Sequence, residues 1–282
     1  MTMAYNAYLE SQYDLRARHS NHHQVKALSH LRSEHVRSRL PILSNLPCGS
    51  APGARFDLIP GLDSVDRQPV LIFIHGGFWR SGDKSELAFL AEPFHQHGIS
   101  TVLLNYSLAP TVSLQEIICE VRASFVDIVR QTEQLGLDPD AIVVGGHSAG
   151  GHLAAMVVAT AWAELGLVRS PVKASFGISG LYDPSPLAKT SFQRVLALPD
   201  CNMDLIARPN GNEQDGLNLV ACGSRETREL KAQSQRYAAS VRAAQGFDPM
   251  FLVEDKNHYD ILHELADVKS VLFRRVLELF KR

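Results

Sequence analysis

Cysteine is scarce in this sequence, and the few cysteines are scattered. No two of them form a Cys-x-x-Cys pair, and they stand at Cys48, Cys119, Cys201 and Cys222. This spacing predicts neither a zinc site nor a disulfide framework. We expect four free thiols, some of them in the core.

A strong net charge and a long apolar run are also missing. The formal charge of -2 argues against a nucleic-acid or anionic-membrane surface. No stretch approaches the roughly eighteen apolar residues of a membrane-spanning helix, and positions 1–14 lack the apolar core of a signal peptide. We therefore expect a soluble, cytoplasmic protein with neither nucleic-acid nor membrane partners. The sequence contains no internal repeat and no low-complexity segment.

What is present is an ordinary globular composition with a regular alternation of elements. The 282 residues are 45% hydrophobic and 21% charged. Apolar runs predict strands at 54–59, 69–74, 100–106, 141–144, 174–178, 217–222 and 249–253. Between them the 3.6-residue period predicts helices, clearest from 114 onward, and a closing helix over 258–280. This order predicts an α/β fold with a mostly parallel sheet and helices on both faces.

The first 45 residues have a different character from the rest. They are polar, with a weakly helical pattern over 24–40 and histidines at His19, His22, His23 and His30. A metal site would need carboxylate or cysteine partners at suitable spacing, which are absent, so a solvated arm is favoured. We predict an N-terminal arm at 1–45 that packs on a single domain at 46–282. Within that domain, 184–215 has little periodicity and is predicted to form a cap over the carboxyl ends of the strands.

A Gly-x-Ser-x-Gly pattern lies between a predicted strand and a predicted helix, at Gly146 to Gly150. A serine on such a sharp corner stands exposed above the sheet, and glycines remove the Cβ atoms that would collide there. The pattern favours Ser148 as a nucleophile, with the Ala149 N–H facing a developing oxyanion. The alternative, an ordinary glycine-rich turn, would give the serine no purpose.

A serine nucleophile needs a base and an acid, which in this fold class follow it in the order acid, histidine. His258 follows the last predicted strand, although a solvent-exposed histidine at a helix start is the alternative. Glu226 follows the preceding strand and is the favoured acid. Asp183, which follows the predicted strand at 174–178, is the second choice. Glu229, one helical turn after Glu226, is the third.

A second glycine-rich segment follows the strand at 69–74. Its sequence, His75 to Asp83, favours an oxyanion hole formed by backbone N–H groups of Gly76, Gly77 and Phe78 together with Ala149. His75 is expected to order this loop. The two histidines beside the nucleophile, His147 and His152, are expected to pack or to line the pocket. The implied chemistry is two-step acyl transfer, with no metal and no organic cofactor.

These motifs together resemble those of the α/β-hydrolase superfamily and, within it, the kynurenine formamidase (arylformamidase) group. The resemblance rests on five segments, which begin at Glu10, His75, Gly146, Ile178 and His258. His75-Gly76-Gly77-Phe78-Trp79 is the most discriminating, because hormone-sensitive-lipase relatives usually have a third glycine where Phe78 stands. The sequence departs from the group at Glu226, where aspartate is common, at Asp14, where asparagine is common, and over 201–214.

The resemblance implies the α/β-hydrolase fold with a small cap, and a formyl or short acyl group on an aromatic amine as substrate, such as N-formylkynurenine. Candidate pocket residues are Phe78, Trp79, Tyr106, Tyr182 and Tyr259. The partner would be a small aromatic amide or ester. The alternatives are a carboxylesterase, a non-catalytic binding relative and an enzyme of another class such as a lyase. The oligomeric state, a homodimer included, is not readable from the sequence.

Overall fold

A computed structural model describes residues 5–62, 67–207 and 217–281. Its centre is an eight-stranded sheet. In chain order the strands are β1 Leu43–Pro47, β2 Arg55–Ile59, β3 Gln68–Ile74, β4 Ser100–Leu104, β5 Leu137–His147, β6 Val172–Ile178, β7 Leu217–Gly223 and β8 Met250–Val253. They lie in the order β1-β2-β4-β3-β5-β6-β7-β8. All neighbours from β4 to β8 are parallel, and β2 runs antiparallel to both β1 and β4. The predicted fold class is confirmed.

The helices follow the strands and cover the sheet. In chain order they are α1 Ala7–Tyr13, α2 Leu15–Arg18, α3 His22–Arg39, α4 Ala91–Gln96, α5 Leu114–Gln131, α6 Ala149–Val158, α7 Phe192–Val195, α8 Met203–Ile206, α9 Arg228–Gln245, α10 Ile261–Leu265 and α11 Val271–Lys281. Short 3₁₀ turns occupy Lys84–Leu90, Trp162–Leu165, Ser185–Lys189 and Leu198–Asp200. Within the described ranges, no helix combines the length and the apolar character needed to cross a membrane.

Side chains of β3 show why the central strands read as unbroken apolar runs. Val70, Ile72 and Ile74 belong to one core, while Leu71 and Phe73 belong to another. Successive side chains of a strand point to opposite faces, so a strand with helices on both faces must be apolar at every position. The sheet therefore separates two cores.

Strand β1 was not predicted. Most of its side chains are exposed, and Asn45 has a φ of 58°, which interrupts the alternation of a regular strand. Its pairing with β2 also shifts register between Leu43 and Leu46. An exposed edge strand buries too little side-chain surface to leave a period-2 pattern in the sequence.

The predicted closing helix over 258–280 is interrupted, and this prediction is wrong in its continuity. The chain leaves the helix at Ala266 and re-enters it at Val271. Asp267 accepts hydrogen bonds from the backbone N–H groups of Lys269 and Ser270, while the Ser270 hydroxyl caps α11 by accepting from Phe273 N. Short polar side chains of this kind offer the backbone an alternative to continuing the helix.

The region predicted as a cap, 184–215, consists up to residue 207 of short helical turns, including α7 and α8. Residues 208–215 lie outside the described part of the chain. The helical turns that are described carry Phe192 towards the carboxyl ends of the strands, where the candidate site lies.

The N-terminal arm is more deeply attached than a solvated segment would be. Tyr13, Leu15 and Val36 are buried, and the Tyr13 hydroxyl accepts a hydrogen bond from Gln233 Nε2 at 2.8 Å. The Ser33 hydroxyl donates to Glu86 O at 2.8 Å. These contacts lie on the inner side of the arm, where apolar and polar groups have partners in the domain, while most of its other side chains are half-buried or exposed.

A buried carboxylate fastens the end of the arm to the sheet. Asp57 on β2 is fully buried and contacts Arg37 of α3 at 2.8 Å and Lys84 at 2.9 Å. It also accepts a hydrogen bond from Asn45 N at 2.9 Å. Burial raises the pKa of Asp57, but the hydrogen bonds from Asn45, Arg37 and Lys84 outweigh burial and leave that pKa below its usual value. Asp57 thus remains an anion that joins three segments.

Candidate active site

Ser148 stands on a sharp corner between β5 and α6. Its backbone has φ 56° and ψ -120°, a conformation that side chains rarely adopt. The corner depends on close backbone approach, since a Cβ on Gly146 would lie 2.1 Å from Gly150 O and one on Gly150 would lie 2.0 Å from Ile74 O. The two glycines thus permit the corner that holds the serine at the carboxyl end of β5.

Ser148, His258 and Glu226 form one continuous chain of contacts. Ser148 Oγ lies 2.9 Å from His258 Nε2, and His258 Nδ1 lies 3.0 and 3.2 Å from the two carboxylate oxygens of Glu226. All three residues are buried. Because Nδ1 faces a carboxylate it carries the proton, which leaves Nε2 free to accept the serine proton. This geometry is suited to nucleophilic catalysis by the serine.

The rival acids are occupied elsewhere. Asp183 Oδ1 accepts a hydrogen bond from Ser185 N at 2.9 Å, and Glu229 Oε1 accepts one from the Tyr8 hydroxyl at 3.1 Å. Of the carboxylates weighed from the sequence, it is Glu226 that the structure brings to His258.

The loop after β3 runs directly beside the serine. A Cβ on Gly76 would lie 3.1 Å from Ser148 Cβ. Gly77, Phe78 and Trp79 all have positive φ, at 121°, 59° and 55°. Gly77 O accepts hydrogen bonds from the N–H groups of Arg80 and Ser81, which closes the turn.

The four backbone N–H groups predicted as oxyanion donors have no acceptor within the parts of the chain that are described: those of Gly76, Gly77, Phe78 and Ala149. Unpaired N–H groups beside a nucleophile can stabilise an oxyanion. The loop and the start of α6 thus supply donors of the type expected from the sequence.

His75 lies at the base of this loop. Its Nδ1–H donates to Gly76 O at 2.7 Å, and its ring stacks on Tyr106 with centroids 4.3 Å apart. The Tyr106 hydroxyl donates to His75 O at 3.0 Å. Burial lowers the pKa of His75, so the ring stays neutral and acts as a donor to the loop backbone.

The two histidines close to Ser148 in sequence, His147 and His152, hold backbone groups. His147 Nε2–H donates to the carbonyl oxygen of His258 at 2.8 Å, and His152 Nε2–H donates to Ile206 O at 3.0 Å. Burial, reinforced by the nearby His258, lowers the pKa of His147 well below its usual value. Burial also lowers the pKa of His152, to about 4. His147 in addition lines the cavity in front of Ser148.

A cavity of about 660 Å³ opens in front of Ser148 and His258. Its apolar walls include Phe78 from the loop, Phe192 from the cap and Tyr259. The Phe78 and Phe192 rings lie 4.4 Å apart between centroids. A cavity of this size suits a small molecule with an aromatic ring.

The remaining aromatic residues predicted for the pocket do not line this cavity, and the structure corrects that prediction. Trp79 is fully buried, edge-to-face on His152, and Tyr106 lies beneath His75. Tyr182 stacks on Tyr237 at 4.1 Å. Each belongs to the packing behind the site, because its ring is held by a buried neighbour: His152 for Trp79, His75 for Tyr106 and Tyr237 for Tyr182.

The N-terminal arm forms one wall of the cavity, which sequence reasoning missed. Its lining residues are Tyr13, Asp14, Leu15, Arg16, His22, His23, Val25, Lys26 and Ser29. The available signal was the set of tyrosine and leucine side chains within a polar segment, which marks a surface that is buried on one side. Across the described ranges, no group of three or more His, Cys, Asp or Glu side chains could hold a metal ion, and this includes the arm histidines.

Comparison with known proteins gives relatives for nearly the whole chain. The BD-FAE family model matches residues 57–172. A kynurenine formamidase of Danio rerio is 30% identical over 88% of this chain and 85% of its own length. The kynurenine formamidase of Salmo salar is 28% identical over 83% of this chain and 81% of its own length.

Solved structures show the same fold. A protein from Silicibacter sp. TM1040, provisionally assigned as a thioesterase, superposes with a TM-score of 0.80 at 23% identity, covering 98% of this chain and 100% of its own. The esterase LipW of Mycobacterium marinum superposes with a TM-score of 0.68 at 16% identity, and the match covers 92% of this chain and 89% of LipW. The chain therefore belongs to the kynurenine formamidase family, and it is a hydrolase with the α/β-hydrolase fold.

Proposed function

We propose that this chain is a serine hydrolase that cleaves the formamide of an aromatic amine, of the N-formylkynurenine type. The observation that carries the proposal is the continuous contact from Ser148 Oγ through His258 to Glu226, with distances of 2.9 and 3.0 Å. The names of the two fish relatives support the formamide as the scissile group.

In the first half of the reaction Ser148 Oγ attacks the formyl carbon while His258 Nε2 takes the hydroxyl proton. The carbonyl oxygen becomes an oxyanion, for which the N–H groups of Gly77, Phe78 and Ala149 are the donors. Glu226 stabilises the imidazolium through Nδ1–H. The carbon–nitrogen bond then breaks as His258 delivers its proton to the departing aryl amine, which leaves a formyl ester on the serine.

In the second half a water molecule replaces the amine. His258 Nε2 takes a proton from water as its oxygen attacks the formyl ester, and the same donors hold the second oxyanion. The ester bond to Ser148 breaks, the serine oxygen regains its proton from His258, and formic acid leaves and gives its proton to solvent to become formate. Each residue returns to its starting protonation state.

The walls of the cavity support an aromatic leaving group. Phe78 and Phe192 lie on one side, and Tyr259 follows directly after the base. Aromatic side chains favour offset or edge-on contact with another ring. A planar aryl amine would fit between these walls with its formyl group at Ser148.

Ester hydrolysis is the second candidate, because LipW, named as an esterase, shares the fold. The same three residues would serve, and an alkoxide or phenoxide would leave in place of the amine. The two activities differ in what the pocket admits and in how much the leaving group depends on proton delivery from His258.

The test compares N-formylkynurenine with p-nitrophenyl acetate for the wild type and for Ser148→Ala. We expect formamide turnover by the wild type and its loss in the variant. Ser38→Ala is the matched control, since Ser38 is exposed on α3 and its hydroxyl bonds only to His35 O within the helix. This control should keep full activity.

Ester turnover without formamide turnover would overturn the formamidase proposal and leave the serine hydrolase. Full activity of Ser148→Ala on both substrates would overturn the mechanism. Trapping the formyl-enzyme by rapid quench and mass spectrometry adds a direct readout, since a formyl group adds mass at Ser148 alone.

A further inference from the structure

Two arginines line the cavity without an acidic partner. Arg16 comes from α2 in the arm, and Arg80 comes from the loop after β3. Neither forms an ion pair with any carboxylate in the described residues. Two segments more than sixty positions apart in sequence thus bring guanidinium groups to one pocket.

The contacts of the two side chains place both on the same side of the cavity. Arg16 Nη2 lies 3.5 Å from the hydroxyl of Ser81, the residue directly after Arg80. The Arg80 guanidinium lies 5.5 Å from the centre of the Phe192 ring, over the aromatic wall described above. Arg80 therefore lies against the aromatic wall, and Arg16 lies against the loop that carries Arg80.

The acidic side chains of the same cavity are already occupied. Asp83 accepts hydrogen bonds from Asn105 Nδ2 and Ser85 N, both at 2.8 Å. Glu86 pairs with Lys26 at 3.0 Å. The side chain of Asp14 caps α2 by accepting from Ala17 N. All three carboxylates thus have hydrogen-bond or ion-pair partners, whereas the two arginines line the cavity with no carboxylate partner among the described residues.

We propose that Arg16 and Arg80 are the specificity-determining residues that bind the side-chain carboxylate of the aryl formamide substrate. The proposal rests on the proposed function and adds a specificity determinant to it. A guanidinium presents a planar fork of donors that matches a carboxylate, and its stacking on Phe192 holds Arg80 ready without loss of its charge. Neither arginine touches the reacting atoms, so the subsite acts on binding.

The experiment uses two substrates that differ at one group: N-formylkynurenine and its α-carboxamide. Both carry the same formamide and the same ring, and the second lacks the negative charge. The variants are Arg16→Gln, Arg80→Gln and Arg80→Lys. Arg194→Gln is the matched control, since Arg194 is exposed on α7, two residues from Phe192, and is not among the residues that line the cavity.

We expect the wild type to show a KM about tenfold to a hundredfold lower for the acid than for the carboxamide. Each glutamine variant should raise KM for the acid about tenfold while kcat stays unchanged, and should leave KM for the carboxamide unchanged. Arg80→Lys should lie between, because lysine keeps the charge without the fork. Raised salt should increase KM for the acid alone.

Equal KM values for the two substrates in the wild type would overturn the subsite. Equal increases in KM for both substrates in the arginine variants would also overturn it, because that pattern indicates a general change of the pocket. Thermal unfolding midpoints equal to that of the wild type verify that each variant is folded. If neither substrate is cleaved, the proposed function fails instead. The same variants then test the subsite by the inhibition of p-nitrophenyl acetate hydrolysis with kynurenine against its carboxamide.

Discussion

The carboxyl edge of the sheet and the N-terminal arm both face the same cavity, but they are built differently. At the edge, Ser148, Glu226 and His258 follow three parallel strands, are buried, and contact one another within 3.2 Å. The arm contributes mostly half-buried and exposed polar side chains, together with the buried Tyr13 and Leu15, from a segment that lies outside the sheet. The strands fix the positions of the three proposed reacting groups, while the arm forms the outer wall of the cavity.

The difference separates two kinds of requirement. A reacting group must be held within a fraction of an ångström, which a strand buried on both faces provides. A recognition wall needs only to present the right charge and shape. We therefore expect changes at the sheet edge to lower kcat, and changes in the arm to alter KM or stability.

After Ser148→Ala, the largest effect on turnover should come from Glu226→Gln. Glutamine cannot stabilise the imidazolium and favours the wrong tautomer of His258, so we expect kcat to fall by about 10³- to 10⁴-fold. Steady-state kinetics with N-formylkynurenine measure this. Asp183→Asn and Glu229→Gln are matched controls and should retain activity; loss of turnover in Asp183→Asn with an active Glu226→Gln would reassign the acid.

The largest effect on stability should come from Asp57→Ala. This change leaves the buried Lys84 with only the neutral Asn45 side chain as partner and frees Arg37 of the arm, at an expected cost of about 3–5 kcal/mol in the free energy of unfolding. Urea unfolding measures it. Glu92→Ala removes an exposed ion pair to Arg39 on the same helix α3 and should cost only about 0–1 kcal/mol. Equal losses of unfolding free energy in Asp57→Ala and Glu92→Ala would contradict the role of Asp57 in attaching the arm to the sheet.

The same residue predicts a direction for acid sensitivity. The pKa of Asp57 is lower in the folded protein than in the unfolded chain, so its contribution is fully present above the unfolded value, near pH 4, and is lost as pH falls through the folded value. Between pH 6 and about pH 3 the wild type should lose more stability than Asp57→Ala. Parallel pH profiles of the two proteins would show that Asp57 is not responsible.

A smaller effect, on binding, should follow from Glu10→Ala. Glu10 in α1 accepts hydrogen bonds from the backbone N–H of Ser191, at 2.8 Å, and from the Ser191 hydroxyl, which ties the arm to the cap next to Phe192. Its loss should raise KM about two- to fivefold with kcat unchanged. Ser11→Ala, whose hydroxyl bonds only to Tyr8 O within the arm, is the control. A fall in kcat alone would place the arm in the chemistry rather than in recognition.

The smallest effect should come from Tyr182→Phe. The Tyr182 hydroxyl is buried and has no hydrogen-bond partner among the described residues, so its removal should leave the thermal unfolding midpoint unchanged or slightly raised. KM should not change, because the ring lies behind the site. Phe192→Ala, by contrast, removes a wall of the cavity and should raise KM. A raised KM in Tyr182→Phe would indicate that Tyr182 does contribute to the pocket.

The sequence predicts the parallel sheet well because β3 and its neighbours, buried on both faces, leave unbroken apolar runs. Ser148 is recognisable because the corner on which it stands demands glycines at fixed local spacing. His258 and Glu226 were named from the order of the strands, and the structure brings both to the serine. These features depend on local backbone geometry or on chain order, both of which a single sequence contains.

Other features depend on contacts that chain order does not encode. Trp79 and Tyr182 were assigned to the pocket because they lie next to catalytic segments, but the positive φ of Trp79 and the packing of Tyr182 on Tyr237 turn them into the core. The cavity wall formed by Arg16 and its neighbours depends on where the arm docks. No local pattern in the sequence specifies that docking.

The separation of the three site residues along the chain makes activity a reporter of complete folding. Ser148 and His258 are 110 positions apart, and Glu226 and His258 are 32 apart. The base follows β8, the outermost parallel strand, so the site cannot assemble before that strand joins the sheet. Contacts between distant segments form late, because loop closure costs entropy before any contact compensates for it. During synthesis the proposed nucleophile therefore has no base until the C-terminal segment has been added, and regain of turnover after dilution from denaturant would show when that segment joins the sheet.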